Sequence, residues 1–182
     1  AYKSLPNTLD LLIEKSVVLT AFITNNLDAA TTEIEAHLEH YAPDLKEEKI
    51  YEKEIVVRLE EAACWYRVID EMACRSLSPE QADLFMGHFQ DNLARTLALQ
   101  GTPPDLICQT MAYRIDEYSK YRKWVPAKDE GTHGTLLWEA AKHVGAPFGP
   151  GVSGHPIFLV MFGRRFAERL TRAMVNRLLN GR

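Results

Sequence analysis

An all-α fold is expected: a bundle of about six to seven helices built on a long antiparallel helical hairpin, within one domain over residues 1–182. Apolar residues recur at three- and four-residue spacing through most of the chain, and period-two strand alternation is absent. Proline, glycine and capping residues fall between these segments. The composition, 46% hydrophobic and 25% charged, is that of a globular chain rather than a disordered one.

Asn7 or Thr8 caps a first segment entered at Leu9, with Leu12, Ile13 and Val17 in its stripe. The pattern restarts beyond Asn25-Asn26 with Leu27, Ala30, Ile34, Leu38 and Tyr41. This predicts either one helix to Tyr41 or two jointed at the asparagines, with Pro43 ending it. Asp44-Leu-Lys-Glu47 then has capping-box spacing. The helix it opens carries Tyr51, Ile55, Leu59, Ala62, Tyr66, Ile69 and Met72 or Ala73, running to Leu77. Both long helices would measure about 50 Å, and a short turn at Pro43 makes them antiparallel.

Ser78-Pro79-Glu80-Gln81 is a second capping box with proline at the first helical position. Ala82, Phe85, Met86, Phe89, Leu93 and Leu97 form its stripe, and Gly101 stops it. Thr102-Pro-Pro-Asp105 starts a helix with Ile107, Met111, Ile115, Tyr118 and Val125, expected to reach Pro126. Residues 126–134 read as a loop, and Leu136–Val144 as a short helix ended by Gly145. The stretch 145–154 holds four glycines and two prolines, and an irregular loop is expected over 145–155. Pro156 opens a last helix through Phe158, Met161 or Phe162, Phe166, Leu170, Met174 and Leu178.

No run reaches the roughly 18 apolar residues of a membrane-spanning helix. Cys64, Cys74 and Cys108 have no C-x-x-C spacing, which favours a reducing compartment, and a cytoplasmic location is expected. The chain begins at Ala1 rather than Met, which leaves a removed leader open. Cys64 and Cys108 read as small buried hydrophobes.

The chemistry-bearing patterns are incomplete. Glu33, His37 and His40 share one helical face at a spacing that can present metal ligands, but they lie on the shoulder of the apolar stripe, where solvated charges are common. A di-metal centre needs two Glu-x-x-His helices; only Glu130–His133, in loop-like sequence, has that spacing. Gly151-Val-Ser153-Gly-His155 lacks the final glycine of a nucleophile elbow and follows no strand. No catalytic residue and no cofactor is assigned.

The formal charge of −4 is unevenly spread. Residues 28–61 hold 11 acidic and 4 basic residues, a net of −7, whereas 156–182 net +5 through six arginines against Glu168. Arg164, Arg165, Arg169 and Arg172 are therefore candidates for contact with an anionic partner. The simpler expectation is a solvent-facing arginine row, followed by pairing with the acidic segment. No specific nucleic-acid signal is present.

Tyr113, Arg114, Tyr118, Tyr121, Arg122 and Trp124 make a polar-aromatic segment, typical of an interface or a buried polar network. Tyr118, Arg122 and His155 are the candidate pocket residues. The expectation is a self-associating, non-enzymatic interaction protein, a homodimer, with a further protein partner open. The alternatives are a metal- or small-molecule-binding bundle, possible as an enzyme, or a peripheral binder of anionic partners through the arginine helix.

Overall fold

The computed structural model describes residues 9–41, 43, 53–124, 134–173 and 175–180. Within them the chain is all-helical: α1 Leu9–Tyr41, α2 Lys53–Ser76, α3 Pro79–Leu99, α4 Pro104–Tyr118, α5 Leu136–Gly145, α6 Pro150–Ser153, α7 Pro156–Ala173 and α8 Val175–Asn180. The expected Asp44–Glu47 box, the Glu130–His133 pair and most of the 126–134 loop lie outside the described residues.

α1 is one unbroken helix of 33 residues, about 50 Å long. Its polar core-facing residues are satisfied on their own helix. Ser16, Thr20 and Thr24 donate to the carbonyls of Ile13, Ser16 and Thr20 at 2.7–2.8 Å, and Asn26 Nδ2 donates to Phe22 O at 2.7 Å. The asparagine pair therefore makes no joint.

α1 and α2 run antiparallel. Glu35 meets Lys53 at 3.3 Å, Asp28 meets Arg58 at 3.6 Å, and Phe22 meets Trp65 edge-on with ring centroids 6.4 Å apart. The two are unequal in their described extent, since the 24 residues of α2 span about 36 Å.

α2 is the centre of the bundle. Every residue from Leu59 to Trp65 is buried, which covers nearly two turns on all sides. A surface helix buries one stripe; this one is enclosed by α1, α3, α4, α5 and α8. Its side chains also finish its neighbours. Arg58 Nη1 donates to Gln100 O at 3.1 Å, beside the end of α3, and Arg67 Nε donates to Tyr118 O at 3.4 Å, at the end of α4. Each places a cation at the carbonyl end of a helix.

The Ser78 capping box forms as read, with Gln81 N–H on Ser78 Oγ at 3.3 Å and Ser78 N–H on Gln81 Oε1 at 3.2 Å. α3 ends in a Schellman turn. Thr102 N–H bonds Leu97 O and Gly101 N–H bonds Ala98 O, both at 3.0 Å, with Gly101 at φ 91°.

α4 stops at Tyr118, well short of Pro126. The chain then turns back over α2, where Trp124 Nε1 donates to Glu71 Oε2 at 2.7 Å. The carbonyls of Lys123 and Trp124 accept the first N–H groups of α5, from Leu136 and Leu137, at 2.8 and 3.1 Å. The returning segment thus serves as the N-terminal cap of α5.

The glycine- and proline-rich stretch is more regular than expected. It folds as a 3₁₀ turn over Ala146–Phe148, a left-handed Gly149 at φ 107°, and the single turn α6. Pro147, Phe148 and Val152 are buried, and Lys53 Nζ sits 4.7 Å from the centre of the Phe148 ring.

Gly145 makes this corner possible. A Cβ there would lie 2.7 Å from the buried Phe158 ring and 3.1 Å from the Ser153 backbone. Gly145→Ala is expected to destabilise the protein by about 1–3 kcal/mol, the overpacking cost exceeding the helix-propensity gain. Gly163→Ala, whose Cβ meets nothing nearer than 3.9 Å, is expected to be neutral or stabilising. Urea denaturation of the two variants measures the contrast.

Candidate functional site

Two successive carboxylates of α2 point to opposite partners. Glu61 is 1% exposed and meets both inward arginines of α7. Arg165 Nη2 donates to its two oxygens at 3.1 and 3.2 Å, and Arg169 Nη1 to Oε1 at 3.2 Å. The same arginines hold Glu33 of α1, through Arg169 Nη2 at 2.6 Å and an Arg165 Nε contact of 3.0 Å. Burial pushes the Glu61 carboxyl above its ordinary value against the pull of Arg165 and Arg169. Burial, reinforced by Arg165, brings Arg169 down despite Glu61 and Glu33. Both ions thus bear a desolvation cost that their attraction offsets only in part. Arg spacing of four residues places both guanidiniums on the inner face of α7, beside Phe162 and Phe166.

Glu60 faces α4. Arg114 clasps it in a two-point contact at 2.7 and 2.9 Å and extends Nη1 to Glu117 at 2.6 Å. His143 Nε2 of α5 reaches the other Glu117 oxygen at 2.9 Å. Burial raises the Glu117 carboxyl, but hydrogen bonds and charge from His143 and Arg114 outweigh it and leave it below its ordinary value. Tyr118 is fully buried beside this network, its hydroxyl without a hydrogen-bond partner among the described residues. A third group joins Arg67, Arg75 and Trp124 around Glu71. Cys64 lies between the first two networks, and burial with the charges of Glu61 and Glu60 keeps its thiol protonated well above the ordinary range.

The structure redistributes the residues singled out from sequence. Arg165 and Arg169 pair with the acidic segment instead of lining a solvent face, while Arg164 and Arg172 are exposed. Glu33 is turned to those arginines, which separates it in function from His37 and His40. Burial, then the nearby His40, lowers the His37 value. Among the described residues no cluster of three or more His, Cys, Asp or Glu side chains is placed to hold a metal ion.

Tyr118, Arg122 and His155 stand in different surroundings. Tyr118 is in the core at the level of Arg67, Arg122 is exposed beyond α4, and His155 sits in the turn before α7. Cys108 is exposed rather than buried. No described helix is long and apolar enough to cross a membrane.

A cleft between α3 and α4 was not foreseen. It encloses about 260 Å³ and is lined by Gln90, Leu93, Ala94 and Leu97 of α3 and by Ile107, Cys108, Met111, Ala112 and Ile115 of α4. Its floor is the buried part of both apolar stripes. Its rim is made of short side chains, Ala94, Cys108 and Ala112, which leave the space between the helices open. The one signal in the sequence is that alanine and cysteine stand where surface helices usually carry long polar residues. An apolar cavity of about 150 Å³ suffices for benzene, so this cleft takes a larger molecule.

Compared with known proteins, the chain matches no family model, no curated protein and no solved structure.

Two outcomes test the networks. Removing Arg169 by Arg169→Met is expected to cost about 3 kcal/mol, because it strips Glu61 of one of its two cations in the interior. Adding Glu61→Leu is expected to restore part of that loss, a coupling read from a double-mutant cycle in urea. Separately, Glu117 has a depressed folded value, so its stabilisation is present above the unfolded carboxylate range, about pH 4.3, and vanishes as pH falls through the folded value. Glu117→Gln is therefore expected to flatten the acid limb of the stability curve; an unchanged slope below pH 4.3 would refute the assignment.

Proposed function

We propose that this chain is a helical binding module for a small, largely apolar molecule held between α3 and α4. The observation that carries the reading is the partly enclosed cleft of about 260 Å³ with nearly continuous aliphatic walls. Pockets between helices of bundles, apolar with a few polar groups at the edge, are common ligand sites. Of the aromatic and arginine residues that favoured an interaction surface, Tyr118 is buried and Arg114 and Trp124 are held by Glu60 and Glu71, while Tyr113 and Arg122 are exposed.

Self-association is retained as a second reading on a separate observation. Val17 and Val18 of α1 and Ile157 and Val160 of α7 are each 50–56% exposed, apolar side chains that a second copy would cover. A protein partner is the other candidate for these faces. Size-exclusion chromatography with light scattering tests dimerisation; a monomer across the micromolar range counts against it.

Naphthalene, a two-ring hydrocarbon, is expected to produce a saturable shift of the Met111 methyl resonance and to raise the melting temperature with concentration. Ala94→Trp, which fills the cleft from its open shoulder, is expected to abolish both responses while the helical circular dichroism persists. Absence of a saturable response in the unaltered protein would overturn the reading.

A further inference from the structure

The two ends of the cleft differ. α3 and α4 are joined by the Schellman turn, whose Thr102 N–H bonds Leu97 O, so Leu97 and Ile107 lie at the turn end. Gln90 and Ile115 lie at the far end. Gln90 to Leu97 is two helical turns, about 10 Å. An extended chain of about eight carbons, at about 1.25 Å per staggered C–C bond, matches that length.

Polar groups gather at the far end. Gln90 Oε1 accepts a hydrogen bond from Tyr66 Oη of α2 at 3.3 Å. One turn further along α2 stands Asp70, and seven residues before Gln90, on the same face of α3, stands Asp83. Neither aspartate joins an ion pair among the described residues. Asp70 senses its surroundings: burial, with Glu71 and Asp83, raises it against the pull of Arg67. Burial and the Asp70 charge raise the Tyr66 phenol, which therefore stays a neutral donor.

The nearby cations have other carboxylate partners, although Arg67 also pulls on Asp70. Arg67 is 3.4 Å from Glu71, Lys120 is 3.5 Å from Asp116, and Arg114 is held by Glu60 and Glu117. Arg95 lies about 140° around α3 from Gln90. On α3, Asp83 and Asp91 oppose Arg95, whereas on α4 Asp116 and Glu117 are paired with Lys120 and Arg114 and Asp105 lies at the turn end. An anionic head would meet repulsion at this end and a cationic head attraction.

We propose that the ligand of the cleft is a cationic amphiphile, an alkyl- or arylammonium compound. Its apolar tail lies on Leu93, Leu97, Ile107 and Met111, and its charge sits at the Gln90–Tyr66 end, facing Asp70 and Asp83. This assignment rests on the cleft being a ligand site, and charge complementarity selects the class. The cation would stand within about one Debye length of both carboxylates at 0.1 M salt, so the preference is salt-sensitive.

Three probes with one tail separate the contributions: octyltrimethylammonium, octanol and octanoate, titrated below their micelle concentrations and followed by the Met111 methyl shift. The expected order is cation, then alcohol, then anion, with about tenfold between the extremes at low ionic strength and less at high salt. Asp70→Asn combined with Asp83→Asn is expected to collapse the order while octanol keeps its affinity. Asp83→Asn alone, at an exposed position, is expected to remove part of the gap and serves if the pair impairs folding. Equal affinities, a preference for octanoate, or a gap that survives the asparagine substitutions would overturn the cationic assignment and leave the cleft reading standing. Failure of all three probes to bind would overturn both.

Discussion

Glu61 is the constraint around which the bundle is arranged. A carboxylate with 1% exposure on the central helix cannot stay charged without cations, and among the described residues α7 supplies them. The residues joined are far apart in sequence: Arg169 lies 108 positions from Glu61 and 136 from Glu33. One buried cluster thus fixes α1, α2 and α7 relative to one another. Half-exposed Glu33 adds little energy, because solvent screens it, but it limits where α1 can lie. Replacing such clusters by hydrophobic residues is often neutral or stabilising in other proteins, so the larger consequence here is registry.

The same logic continues along α2. Over Leu59–Trp65 the helix has no solvent face on which to place charge, yet it carries Glu60 and Glu61 there, with the half-buried Arg67 and Glu71 just beyond. Each has a definite partner: Glu60 on α4, Glu61 on α7, Arg67 at the carbonyl end of α4, and Glu71 on the segment before α5. Apolar packing alone would allow these helices to slide or exchange places, since one aliphatic stripe fits another. The polar pairs distinguish them. Arg114 would leave Glu60 unpaired if α4 shifted by one turn, and an unpaired buried carboxylate is far more costly than an imperfect aliphatic contact.

This division also sets what was legible in the sequence. Helix existence, the Ser78 box, the Gly101 stop and the stripes of α3 and α7 followed from local chemistry: capping residues and periodicity act over a few positions. The early end of α4 was not legible. It depends on Trp124 reaching Glu71, a contact 53 residues apart, and propensity favoured continuing to Pro126. The inward direction of Arg165 and Arg169 was legible only as the second expectation, pairing with the acidic segment. A charged residue one step from an apolar stripe faces solvent unless a buried partner exists, and Glu61 reads as buried only once α2 is known to be central. Glu60, Arg114 and His143 were each visible as titratable residues on helices, but their convergence is tertiary.

The α3–α4 cleft arises from that tertiary arrangement too. The two helices are consecutive and joined by a tight turn, which by itself would favour packing against each other. They lean instead on different supports, α3 mainly on α1 and α4 mainly on α2. Asn92 of α3 donates to Ser16 of α1 at 3.3 Å, and Arg114 of α4 is fixed to Glu60 of α2. With both helices committed to other partners, the gap between them could close only with bulky rim residues. The chain has Ala94, Cys108 and Ala112 there. Larger side chains would bury more apolar area at about 25 cal/mol per Å² without disturbing either support. The cleft is thus stabilisation left unused by the fold, at a place where the walls are rigidly held from behind. Such preorganisation would lower the ordering cost of a molecule bound there, whereas the inward charges of α7 are already paired within the protein.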